Sequence, residues 1–157
     1  LGALLGFQVT VIDDRPEFAT RERFPSAEKV IRADFSDPFR ETPLHTRSHV
    51  LLVTRGHKYD YACLIRALQM DPPPAYIGMI GSRRRVRATY VQLLEEGIAH
   101  ALLDRIHAPV GLDVGAETPE EIAVAVAAEL IMVRRGGTGA SLKGVERVME
   151  RFFKEDK

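Results

Sequence analysis

Tyr76-Ile-Gly-Met-Ile-Gly-Ser-Arg-Arg-Arg85 is the stretch on which the fold turns. Tyr76 to Ile80 is apolar without polar alternation, as in a strand buried on both faces of a parallel sheet. Gly81-Ser82 makes a tight turn, and Arg83 to Glu96 reads as a helix closed by Gly97. Upstream, Asp71-Pro-Pro-Pro74 forbids continuation of a helix from about Tyr59 to Met70, which carries Leu64, Ile65 and Leu68 at helical spacing. That helix follows another apolar strand, His49 to Val53, through Thr54-Arg-Gly-His57. Strand, turn and helix therefore occur twice in succession.

Further toward the amino terminus, Gln8 to Asp13 is a third β-branched strand ended by Asp13-Asp14-Arg15-Pro16. Leu1 to Gly6 reads as the last turns of an apolar helix stopped by glycine. Pro16 to Phe24 is expected as a short helix or loop and Lys29 to Ala33 as a short strand, with Pro25, Pro38 and Pro43 punctuating the region. Toward the carboxy terminus, His107 to Glu117 is glycine-rich and without period, hence a loop. Thr118-Pro-Glu-Glu121 is a capping box with proline at the first helical position, opening a helix to about Arg135. Its alanines and valines, Ala123 to Ala128, lie on nearly all faces, which predicts burial against the sheet and a second subunit. Gly136-Gly-Thr-Gly139 is a flexible break before an amphipathic helix, Leu142 to Phe153. The expectation is a single domain over 1–157, with its core in 1–135.

Three strands each followed by a crossover predict an α/β fold: a three-layer domain with a mainly parallel sheet, in which Gln8–Asp13, His49–Val53 and Tyr76–Ile80 are parallel neighbours. Composition agrees with one globular core, since 45% of 157 residues are hydrophobic and 28% charged. Lysine plus arginine total 22 and aspartate plus glutamate total 22, which argues against nucleic acid or an anionic membrane as partner. The longest apolar run, Ile122 to Val133, is broken by Glu129 and is short of the ~20 residues a membrane helix needs. Cys63, the single cysteine, can form no internal disulfide or cysteine-rich metal site, and with no signal peptide read the expected location is cytoplasmic.

Ligands of parallel sheets bind outside the carboxyl ends of the strands. The residues expected there are Asp13 after the first strand, Thr54, Arg55, Gly56 and His57 after the second, and Gly81, Ser82, Arg83 and Arg84 after the third. Asp13 stands where a ribose-binding acid stands in dinucleotide-binding folds, although aspartate at a strand end is also a common turn former. The run of arginines is more telling. In a first helical turn they lie beside the partly positive end of the macrodipole, where anions are favoured and cations are not. A phosphate held by backbone N–H groups, the Ser82 hydroxyl and a guanidinium would resolve the conflict; arginines turned to solvent would resolve it too. His57, Asp60, His107, Asp113 and Glu117 lack the spacing of a metal site, and Cys63, among apolar helical neighbours, reads as a buried structural thiol.

Four segments carry a family resemblance: Val11-Ile-Asp-Asp-Arg15; Thr54-Arg-Gly-His57 with Asp60; Tyr76-Ile-Gly-Met-Ile-Gly-Ser-Arg83; and His107-Ala-Pro-Val-Gly-Leu-Asp-Val-Gly-Ala-Glu-Thr-Pro-Glu-Glu-Ile-Ala123. In this order they resemble the carboxy-terminal Rossmann-like domain of the XdhC/CoxI family, the xanthine dehydrogenase accessory factors. The family's amino-terminal domain, and the first strand and glycine-rich turn of its Rossmann unit, are read as missing from the chain. The resemblance implies a cytoplasmic chaperone that binds the molybdenum cofactor, as molybdopterin or its dinucleotide form. Such a chaperone protects the cofactor during sulfuration and delivers it to a molybdenum hydroxylase of the xanthine dehydrogenase type, with a cysteine desulfurase as a further partner and a homodimer as its assembly. It implies no catalytic residues and no metal ligands. The alternatives are an NAD(P)-dependent oxidoreductase, which the fold alone suggests, and a nucleotide-binding ligand-sensing module.

Overall fold

The computed structural model describes residues 1–145, with the side chains of His57 and Val145 outside the described part. Its strands are β1 (Thr10–Asp13), β2 (Lys29–Arg32), β3 (His49–Leu52), β4 (Tyr76–Met79) and β5 (Ile106–His107). Its helices are α1 (His57–Leu68), α2 (Arg83–Glu95), α3 (His100–Leu103), α4 (Pro119–Arg135) and α5 (Leu142–Val145). The expected helix Leu142–Phe153 is described only over its first turn; the rest lies outside the described residues.

All pairing is parallel, as the repeated crossovers require. The strands nevertheless form two ladders, β1-β2 and β3-β4-β5. This corrects the expectation that β1 is a hydrogen-bonded neighbour of β3. Periodicity identifies a strand but not its neighbour, and β1 spends its ladder on β2, in the register Thr10↔Lys29 to Asp13↔Arg32. The ends of β1 and β3 meet through side chains instead. Phe7, just before β1, meets the His49 ring edge-on at 5.2 Å, and Asp14, just after β1, bonds Arg55.

The two-residue period of the strands sorts the layers. Val50 and Leu52 of β3 pair in register with Ile77 and Met79 of β4, and all four are buried in one cluster with Cys63, Leu64, Ala67 and Leu68 of α1 and Val86 and Leu93 of α2. The opposite face carries His49, Leu51, Tyr76 and Gly78, with α4 reaching Tyr76 through Glu129. The Tyr76 ring folds back along its strand over Gly78. A Cβ at Gly78 would lie 2.7 Å from Tyr76 Cε1 and 2.8 Å from Val110 Cγ2, so no side chain fits there.

Two terminators are built as the sequence predicts. Leu1 to Gly6 is a turn rather than a helix, yet it closes as a Schellman motif: Phe7 N–H donates to the Gly2 carbonyl, Gly6 N–H to that of Ala3, and Gly6 takes φ +79°. The capping box of α4 is complete. The Thr118 hydroxyl accepts from Glu121 N–H, and the Glu121 carboxylate accepts from Thr118 N–H. Burial of α4 on most sides is not found within one chain. Ala125, Glu129 and Leu130 are buried, whereas Val124 is 56% exposed. The sequence did not signal the single turn α3, nor β5, which extends one residue into the expected loop.

Candidate functional site

The carboxyl ends of β1, β3 and β4 open on one edge, and side chains tie the three together. Arg55 reaches from the end of β3 to Asp14 at the end of β1, donating Nη1 to Oδ1 at 2.6 Å and Nη2 to Oδ2 at 2.8 Å. Its guanidinium also lies 4.5 Å from the centre of the Tyr59 ring. Asp14, with Tyr59, raises the pKa of Arg55 and fixes its charge. Asp13, the expected ribose ligand, is already occupied. Arg15 grips it through Nε at 2.9 Å, Nη2 at 3.0 Å and its own N–H, and holds the carboxyl below its usual range. The competing role of Asp13 as a turn former is therefore realised here.

At the end of β3, the Thr54 hydroxyl lies 2.6 Å from Asp60 Oδ1 and 3.1 Å from the Gly56 carbonyl. Having one proton, it donates to the nearer, charged acceptor. Gly56 is extended and precedes α1, where it supplies no side-chain cap. Asp60, on the first turn of α1, is completely buried; its second oxygen accepts from Arg85 Nη2, which also approaches the Thr54 carbonyl at 3.5 Å. A buried carboxylate needs such a partner.

At the end of β4, Ser82 caps α2, its hydroxyl accepting from Arg85 N–H at 3.3 Å. The N–H groups of Arg83 and Arg84 precede the first intrahelical bonds and have no helical acceptor. No acidic residue lies in this first turn. Arg83 and Arg84 are exposed, whereas Arg85 is half-buried. Thr54, Arg55, Gly56, Gly81, Ser82, Arg83 and Arg84 thus lie along one edge, and Asp13 is on that edge but paired. His57 opens α1 beside them, its side chain outside the described residues. The sequence counted Arg85 in the run of arginines but not among the expected site residues, and offered Asp60 only for a metal site whose spacing it lacks. Their pairing left no mark in the sequence, because it depends on where α1 packs against α2.

A second polar cluster lies on the opposite face of the β3-β4-β5 ladder, where it joins Tyr76 at the start of β4 to His107 at the end of β5. Glu129, the one charge within the apolar body of α4, is buried; it accepts from the Tyr76 hydroxyl at 2.6 Å and Gly111 N–H at 2.7 Å, and meets His107 Nδ1 at 3.0 Å. Burial alone would raise its pKa, but the Tyr76, Gly111 and His107 contacts outweigh that and hold it below the usual carboxylate value. The Tyr76 ring stacks on His107 at 4.4 Å. Cys63 is 2% exposed, and burial, with the Asp60 charge adding, pushes its thiol up to about 12, so it is neutral and unreactive. Among the described residues no group of three or more metal-ligating side chains converges, and no helix is long and apolar enough to cross a membrane.

The chain has relatives. The family described as the XdhC Rossmann domain matches residues 1–130. An uncharacterised protein, YqeB, of Escherichia coli K12 is 36% identical over 138 residues, covering 87% of this chain and 25% of that protein. A Bacillus subtilis 168 protein, named as a probable subunit of xanthine dehydrogenase, is 34% identical over 135 residues, covering 86% of this chain and 38% of that one. A crystal structure described as a xanthine dehydrogenase of Bacillus halodurans superposes with a TM-score of 0.70 at 31% identity, covering 89% of this chain and 39% of that chain. This chain therefore spans between a quarter and two-fifths of the length of these relatives. The four segments that resembled the accessory factors fall inside the matched span, and the parallel sheet has the architecture that the match requires: the chain belongs to the XdhC family, as its Rossmann domain.

Proposed function

We propose that this domain binds the molybdenum cofactor, as molybdopterin or its dinucleotide, at the carboxyl ends of β1, β3 and β4. It acts there as part of an accessory protein that matures the cofactor and helps insert it into a xanthine dehydrogenase-type molybdenum hydroxylase. The observation that carries the reading is the start of α2, where unclaimed N–H groups, the Ser82 cap and three consecutive arginines stand together with no acid in the first turn. A helix start of this kind is an electrostatic misfit without an anion and a good receptor with one. The donor set fits a phosphate or pyrophosphate. Bound cofactor would supply the redox-active metal centre, while this chain's residues would grip the phosphoryl end. The names of the Bacillus relatives support a xanthine dehydrogenase-type partner. A cysteine desulfurase and a cytoplasmic setting belong to the same reading. So does a homodimer through the outward face of α4, which leaves Val124 and Ile131 exposed in the single chain.

Titration of molybdopterin into the protein and into an Arg83→Ala/Arg84→Ala double variant tests the site. Loss of two exposed cations beside the helix start should weaken binding about tenfold at low salt, and less at high salt. Equal affinity in both proteins would move the site elsewhere. Tight NAD binding with hydride transfer would instead favour the oxidoreductase.

A further inference from the structure

We infer that Arg85 is the residue that grips the phosphoryl group at this edge, and that Asp60 is the positioning residue that holds it there. The inference rests on the cofactor reading above and deepens it. Of the consecutive arginines at the start of α2, Arg83 and Arg84 are exposed, and free side chains of that length sweep a large volume. Arg85 is different. Its Nη2 is fixed by the completely buried Asp60 carboxylate and by the Thr54 carbonyl, so the guanidinium plane sits in the crotch between the ends of β3 and β4. That crotch is where open parallel sheets receive ligands.

The rest of the guanidinium is unspent. Its Nε has no hydrogen-bond partner but is itself buried, so the group left to face a ligand is Nη1, for which no hydrogen bond is found among the described residues. A structural arginine recruited only to neutralise Asp60 would turn its fork toward the carboxylate and bond it with two nitrogens. Here a single nitrogen serves Asp60, and the side chain stays 28% exposed.

Charge bookkeeping separates the roles of the arginines. Asp60 and Arg85 cancel, so the pair adds almost nothing to the long-range field. It adds a donor already ordered before the ligand arrives, which lowers the entropy cost of binding. Arg83 and Arg84 keep their net charge and draw the anion in. Rim charges of that kind govern association rate and salt dependence, whereas an ordered, partly desolvated donor governs dissociation. Thr54 belongs to the same device, because its hydroxyl and carbonyl fix Asp60 and Arg85 respectively.

Stopped-flow and calorimetric titrations of molybdopterin, with NAD and inorganic pyrophosphate as comparison probes, should cover the wild type, Arg85→Gln, Arg85→Lys, Asp60→Asn and the Arg83→Ala/Arg84→Ala double variant. Arg85→Gln is expected to weaken molybdopterin binding about ten- to a hundredfold, through faster dissociation and with the salt slope retained. Arg85→Lys should recover little of the loss, since an ammonium lacks the planar fork. Asp60→Asn should reproduce the loss with Arg85 still present; if that variant fails to fold, the Arg85 pair decides alone. Wild-type affinity in Arg85→Gln, with binding lost in the double variant, would overturn this assignment and leave the cofactor reading intact. Absence of molybdopterin binding by the wild type would overturn both. A preference for NAD over molybdopterin that still depends on Arg85 would keep the grip and change its ligand.

Discussion

Arg55 and Asp14, 41 positions apart, form a two-bonded ion pair that spans the separation between the two ladders at their carboxyl ends. Arg55 therefore starts from a committed position. To contact a ligand it must either keep this geometry or leave Asp14, and leaving subtracts from the affinity it can offer.

Asp14→Asn separates these cases. If Arg55 swings to the ligand, removing its anchor should tighten molybdopterin binding several-fold, while Arg55→Ala should weaken it by a similar factor. If Arg55 serves only to tie β1 to β3, both variants should bind like wild type. Calorimetric titration of the two variants, side by side, reads the difference.

Tyr76→Phe should destabilise the fold by about 1–3 kcal/mol, because a buried carboxylate on α4 loses its 2.6 Å donor while the ring packing over Gly78 stays. Glu129→Ala should cost about 3–5 kcal/mol, since it strands the Tyr76 hydroxyl and the Gly111 N–H and leaves a hole under α4. Urea midpoints measure both. Equal midpoints in Tyr76→Phe and wild type would mean that the hydroxyl contributes nothing to docking α4.

Acid should weaken the same contact in a predictable window. Glu129 has a folded-state pKa below its reference value of 4.5, so its contribution is complete above that pH and is lost as pH falls through the lower, folded value. Asp13 is depressed in the same direction by Arg15 and adds to the slope. The difference in urea midpoint between wild type and Glu129→Gln should therefore shrink as the pH falls below about 5. A difference that grew below about pH 5 would reverse the assigned direction.

Most elements were legible because their signals are local. Threonine, proline and two glutamates specify the start of α4 through bonds within four residues, and β4 announces itself by an apolar run between a proline triplet and Gly81-Ser82. What failed to show was adjacency. Nothing in Gln8–Asp13 says that its ladder goes to Lys29–Arg32 and not to His49–Leu52, since parallel strands acquire neighbours through crossovers, which leave no periodic mark. The site was legible as an edge and not as a set of roles. Arg83, Arg84 and Arg85 are identical letters; only the burial of Asp60, which depends on where α1 packs, distinguishes the third from the others. Glu129 stood out in its apolar run, but its partners Tyr76 and His107 come from two other segments.

The divided sheet also divides how the molecule opens. Among the described residues β4 is the strand bonded on both sides, so its amides should be the last to exchange with solvent, protected by β3, β5 and the buried cluster around Leu64 and Leu93. The β1-β2 ladder shares no backbone bond with that block and is half-buried along all of β1. Side chains hold it there: Ile12 and Phe35 pack on the buried cluster, Asp14 pairs with Arg55, Phe7 meets His49 and Arg134 bonds the Leu5 carbonyl, so it can open as a separate cooperative unit only by releasing these contacts together. The breathing of the domain is thus concentrated on the line where its candidate ligand edge is assembled, and anything that bridges Asp14 and Arg55 would fuse two opening units into one.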